Sequence, residues 1–116
     1  MGVISFSDTA ERIWYVAGWA FRQILEDVLA QNPNDREMAE QFERAISISG
    51  LIVYVLERTL ADRITASIRD VATGILSGRI QSKIVEQPYG DAETVRQYHE
   101  ALKELLDIAS RTHCEN

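Results

Sequence analysis

The chain has 116 residues, of which 46% are hydrophobic and 26% are charged, a composition typical of one globular domain rather than a disordered segment. The 18 Asp and Glu outnumber the 12 Lys and Arg, so the formal net charge is −6. A nucleic-acid-binding surface needs an excess of cationic side chains, and this balance argues against one. We therefore expect a single domain over residues 1–116 that does not bind nucleic acid.

The sequence contains few features that indicate where in the cell the protein is located. The single cysteine, Cys114, has no partner for an intrachain disulfide, so nothing points to an oxidising environment. The start of the chain lacks the basic region of a signal peptide. The longest uncharged run, from Ala45 to Leu56, is shorter than the roughly 20 residues that span a bilayer. We expect a cytoplasmic protein without a membrane segment.

Two prolines, Pro33 and Pro88, lie in turn-like settings and divide the chain into three blocks. The first block predicts a helix over about 8–30, after a flexible stretch at 1–6. Asp8 and Glu11 have the spacing of a capping box, and apolar side chains then recur at helical intervals. These apolar residues are Trp14, Ala17, Gly18, Phe21, Ile24, Leu25 and Val28.

The second block predicts two helices, over about 34–58 and 60–78, because one unbroken helix would be unusually long. Asn34 with Glu37 repeats the capping spacing, and Gly78 is a natural end. The break between the helices has two candidate segments: Ser47–Gly50, with Gly50 as a left-handed cap, or Arg58–Asp62, with Thr59 as a new N-cap. Since residues 46–60 are apolar on most sides, we expect them at the centre of the core.

The third block predicts a helix over about 91–111 that begins at Asp91, with a frayed tail at 112–116. Its apolar stripe consists of Val95, Tyr98, Leu102, Leu105, Leu106 and Ala109. The three blocks together predict an all-α fold, a compact bundle of about four helices. The first two helices carry more apolar surface than one face, so dimerisation is one way to complete the core.

Side chains that could support catalysis are sparse. His99 and His113 have no metal-site spacing, and we expect neither cofactor nor catalysis. The alternative is Glu37, Glu40 and Glu43, which recur every three residues. All-α nucleotide pyrophosphohydrolases hold Mg²⁺ with paired Glu-x-x-Glu carboxylates, but no second pair follows here. Acidic residues in the first turns of a helix also follow from the helix dipole.

Charges alternate along the chain: acidic residues dominate 26–43 and 86–107, whereas basic residues dominate 58–83. Either neighbouring helices neutralise one another, or an acidic surface is presented to a basic protein partner. The predicted function is therefore a non-catalytic, self-associating protein–protein interaction module. An acidic inhibitor, in the manner of a bacterial immunity protein or antitoxin, is one form that it could take.

Two aromatic residues of the first predicted helix stand apart from its apolar stripe. Tyr15 and Trp19 lie one turn apart, among Arg12 and Arg22. Tyr, Trp and Arg are enriched at binding hot spots, which predicts that these four residues form a subunit or partner interface. In the alternative interpretation, the bundle covers both sides of this helix and the two aromatic rings belong to the core.

The apolar stripe of the third block predicts that its helix packs into the main core. Truncation of a buried leucine removes contacts and leaves a cavity, so Leu102→Ala should lower the free energy of unfolding by about 2–5 kcal/mol. Thermal or urea denaturation measures this loss. An unchanged melting temperature would show that the helix is peripheral.

Overall fold

The computed structural model describes residues 1–88 and 90–110. That part of the chain is mostly helical and also contains a small three-stranded sheet. The helices are α1 (Gly18–Gln31), α2 (Arg36–Ile48), α3 (Arg58–Ser77) and α4 (Ala92–Ala109), and the strands are β1 (Gly2–Ser5), β2 (Ile13–Val16) and β3 (Gly50–Ile52). The helical character is confirmed, but the prediction of a purely all-α fold is wrong.

The sheet accounts for the largest error in the prediction. Residues 1–6, expected to be flexible, contain β1, which is the central strand of the sheet. It pairs antiparallel with β2 and parallel with β3. The helix predicted over 8–30 begins only at Gly18, because β2 occupies Ile13–Val16. Residues 13–16 are β-branched or aromatic, a composition that fits a pleated surface better than a helix.

The second block breaks within the first expected segment, Ser47–Gly50, although the residue in the left-handed conformation is Ser49 and not Gly50. The helix predicted over 34–58 ends at Ile48, where Ser49 adopts the left-handed conformation with a φ of 60°. The next helix, α3, is capped by the Glu57 carboxylate, which accepts from the backbone N–H groups of Thr59 and Leu60. Residues 46–60, expected at the centre of the core, instead cross the surface for much of their length. Their exposed apolar side chains are Ile48, Ile52, Tyr54 and Val55.

The last two helices match the predictions. Gly78 ends α3 in the left-handed conformation, with a φ of 84°. Asp91 caps α4 by accepting from the backbone N–H of Thr94 at 2.8 Å. Leu102 of α4 is fully buried, so this helix belongs to the main core. The predicted fraying of 112–116 lies outside the described residues.

One face of the sheet packs on the helices. Ile4, Trp14 and Leu51, which are aligned across the three strands, all point inward and are buried. Gly2 lies on the same face against α1, where a Cβ atom would fall only 2.2 Å from the Cβ atom of Phe21. This close approach requires glycine and sets how deeply the sheet sits on α1.

A buried carboxylate joins three distant parts of the chain. Asp27 of α1 accepts hydrogen bonds from Tyr98 Oη of α4 at 2.7 Å and from Ser82 Oγ at 2.5 Å. It also accepts from the Lys83 backbone N–H at 3.0 Å and from Gln23 Nε2 at 3.2 Å. Four donors thus share the two oxygens, which offsets the cost of removing the carboxylate from water.

This network predicts a loss of stability at alkaline pH. Burial, followed by the neighbouring charge of Asp27, raises the pKa of the Tyr98 hydroxyl well above its ordinary value of 10.0. The folded state therefore keeps a proton that the unfolded chain releases, and stability is full below pH 10 and falls above it. Above about pH 10.5 the slope from this group should approach 1.4 kcal/mol per pH unit.

Urea denaturation at several pH values, for the wild-type protein and for Tyr98→Phe, measures this effect. The phenylalanine variant cannot titrate at this position, so it should lose less stability between pH 10 and 11.5 than the wild type. Parallel pH profiles for the two proteins would contradict the buried, protonated Tyr98.

Candidate protein–protein interface

The pairing register of the sheet determines which side chains point away from the core. Successive residues of a strand face opposite sides, so the neighbours of Ile4, Trp14 and Leu51 point outward. We call this set the outer sheet face. It consists of Val3, Ser5, Ile13, Tyr15, Gly50 and Ile52. None of these residues carries a charge.

The outer sheet face leaves apolar surface in contact with solvent. Tyr15 on one edge strand is 56% exposed and Ile52 on the other is 44% exposed. Val3 on the central strand and Ile13 on the same strand as Tyr15 are partly exposed, whereas Ser5 is buried. Contiguous apolar surface that remains accessible on a folded chain marks an interaction site more often than isolated exposed residues do.

The four residues predicted as an interface do not share one surface. Tyr15 lies on the outer sheet face, but Trp19 lies on α1 and packs against the core, with its ring centroid 6.3 Å from that of the buried Tyr98. The one-turn spacing from which the pair was inferred is therefore not realised, because Tyr15 belongs to a strand and Trp19 to a helix.

Arg12 and Arg22, the two arginines predicted as part of the interface, also lie on different parts of the surface. The guanidinium of Arg12 lies 5.7 Å from the centre of the Phe6 ring, in a cation–π contact at the end of the sheet. Arg22 is exposed on α1 and pairs with Glu26 one turn later, at 3.1 Å. Of the four residues, only Tyr15 is a direct part of the outer sheet face.

Sequence reasoning missed Val3, Ile13 and Ile52 as candidate interface residues. A usable signal was present, since Val3-Ile4, Ile13–Val16 and Ile52–Val55 are runs of β-branched and aromatic residues. These runs are too short to show a clear alternation of buried and exposed residues. Two of them were therefore included in the helices predicted from the flanking residues.

The glutamates of the magnesium alternative lie on α2. Glu37 is engaged by Arg63 of α3, whose Nη2 donates to Glu37 Oε1 at 3.0 Å, while its Nε donates to Asp35 Oδ2 at 2.8 Å. The hydrogen bonds from Arg63 hold the pKa of Asp35 below its ordinary value. Within 1–88 and 90–110, no three His, Cys, Asp or Glu side chains are grouped as metal ligands. Arg63 thus neutralises acidic residues across the α2–α3 contact.

No family model, curated protein or solved structure matches this chain. Over the described residues, no helix combines the length and apolar character needed to cross a membrane.

The different environments of Tyr15 and Trp19 predict different effects of truncation. Trp19→Ala should lower the free energy of unfolding by about 2–4 kcal/mol, because it removes a ring packed on the core. Tyr15→Ala should lower it by about 1 kcal/mol or less, since the ring is largely in water. Urea denaturation at low protein concentration compares them, and a larger loss for Tyr15→Ala would contradict this assignment.

Proposed function

We propose that the protein is a non-catalytic interaction module that self-associates, with the outer sheet face of one copy bound to the same face of a second copy. The observation that carries the proposal is an uncharged, partly exposed apolar sheet face on a chain with a net charge of −6. Burial of such a face against another apolar surface is favourable.

The charge distribution favours a second copy as the occupant. A two-fold dimer places the same patch of both subunits in contact, so the patch must be compatible with itself. Charged patches of one sign would repel each other in this arrangement. The outer sheet face carries no charge, so no such repulsion opposes the association of two copies. Association through this face keeps the acidic surfaces on α2 and α4 in solvent.

The required contact area defines how far the interface extends. Stable dimers bury about 800 Å² on each partner, more than three strands of three or four residues offer. Ile48, at the end of α2, and Val55, after β3, are both exposed and lie close in the chain to Gly50 and Ile52. We include these two residues in the proposed contact.

A basic protein partner is a second candidate from the sequence. Glu40 and Glu43 are exposed on α2, and neither forms an ion pair with another described residue. These side chains leave an acidic helix face available while the outer sheet face is buried in the dimer. Binding of a basic protein to this helix face is therefore compatible with the proposed dimer.

Introduction of a charge at Tyr15, the most exposed apolar residue of the outer sheet face, tests the proposed dimer. The wild-type protein should sediment with twice the chain mass of 13.1 kDa at micromolar concentrations. Tyr15→Glu should shift it to the single-chain mass, because the dimer would bury two unpaired carboxylates. Sedimentation velocity or light scattering measures both.

Val85→Glu supplies the matched control. Val85 is 49% exposed, similar to Tyr15, but lies in the 3₁₀ turn Lys83–Glu86 and not on the sheet. This variant should retain the dimer. A monomeric wild type, or a Tyr15→Glu variant that stays dimeric while folded, would refute the proposal.

A further inference from the structure

A cleft of about 600 Å³ opens beyond one end of the sheet. The strand register places the ends of β1 and β3 beside the start of β2, so Phe6, Arg12 and Val53 all leave the sheet at this end. Residues of α3 between Arg58 and Arg69 also line the cleft. Its volume lies within the range of about 300–1,000 Å³ that is common for small-molecule sites.

The cleft is positively charged on a negatively charged protein. Arg12, Arg58 and Arg69 line it, against one carboxylate, that of Asp62. These arginines come from two separate parts of the chain, one from the residue just before β2 and two from α3. Cations gathered in a concave surface raise the local concentration of anions and lower the cost of binding one.

The arginine side chains differ in how firmly they are held. Arg12 is partly buried and lies over the ring of Phe6, which restricts its guanidinium. Arg58 Nε is 3.9 Å from Asp62 Oδ2, a distance too long for a hydrogen bond. Arg69 forms no ion pair with any residue that the structure describes. Arg58 and Arg69 therefore have N–H donors to offer to a ligand.

An aromatic ring completes the lining. Tyr54, in the 3₁₀ turn Val53–Val55, is 49% exposed and borders the same cleft. An exposed ring beside guanidinium groups can stack against a planar base, and such stacking is tolerant of which base is present. The guanidinium fork matches the oxygens of a phosphoryl group in a bidentate manner.

We propose that this cleft binds a nucleoside diphosphate, with the phosphoryl groups on Arg58 and Arg69, the base on Tyr54, and Arg12 adding positive charge at the floor. The open cleft and its two exposed arginines suit a small ligand that carries both charge and a planar ring. The site consists of residues of one copy, so it does not depend on the proposed dimer.

Isothermal titration calorimetry of the full chain with ADP tests the assignment. ADP should bind saturably with one site per chain, pyrophosphate more weakly, and adenosine at least about tenfold more weakly than ADP. Arg58→Gln and Arg69→Gln should each weaken ADP binding about tenfold, since each removes a charged donor. Arg44→Gln, the same change on the exposed surface of α2 outside the cleft, should change it by less than about twofold.

The aromatic ring is tested separately. Tyr54→Ala should weaken ADP binding but leave pyrophosphate binding unchanged, and Tyr54→Phe should bind ADP as the wild type does. Tyr15→Glu should also bind ADP normally, which separates this inference from the dimer. Absence of ADP binding, or equal effects of Arg58→Gln and Arg44→Gln, would overturn the proposal. Arginine-dependent binding of a glutamate-rich peptide without ADP binding would also overturn it, in favour of a protein-docking cleft.

Discussion

The packing of one sheet face on α1 is the constraint from which the surface properties of this protein follow. Ile4, Trp14 and Leu51 are buried together, and the close approach of Gly2 to Phe21 leaves no space for another side chain. A shift of one residue in the register would exchange the two faces of every strand. The same packing that buries the large Trp14 ring therefore forces apolar residues of the three strands into solvent, and it aligns the strand ends that border the arginine-lined cleft.

The Asp27 hydrogen bonds are a second constraint on the fold. They hold α4 and the segment before the 3₁₀ turn Lys83–Glu86 to α1, the helix on which the sheet rests. A carboxylate with four donors specifies one arrangement of these elements, because any other arrangement would leave buried polar groups without partners. The apolar packing of the sheet on α1 and the hydrogen bonds of Asp27 thus fix the elements that carry both proposed binding surfaces.

Much of the helical part of the fold could be predicted from sequence, because α3 and α4 carry long apolar stripes with clear ends at Gly78 and Asp91. The sheet could not, since four-residue strands show too few alternations to compete with a helical pattern. Trp14 fits the apolar spacing of a helix and equally the inward position of a strand. The prediction of Tyr15 as an interface residue rested on a one-turn helical spacing to Trp19 that the structure does not contain. The arginines of the cleft could not be grouped from sequence, because only the tertiary fold brings Arg12 close to α3.

The most direct measurement of the central claim, that the outer sheet face is the surface of self-association, is an amide chemical-shift map across a dilution series. Concentration-dependent shifts should cluster in residues 2–5, 13–16 and 48–55 and should follow one binding curve. The inward-facing strand positions should shift less than Tyr15 and Ile52, which lie directly at the proposed contact. Shifts confined to the exposed face of α1 around Arg22, or spectra that do not change with concentration, would contradict the account.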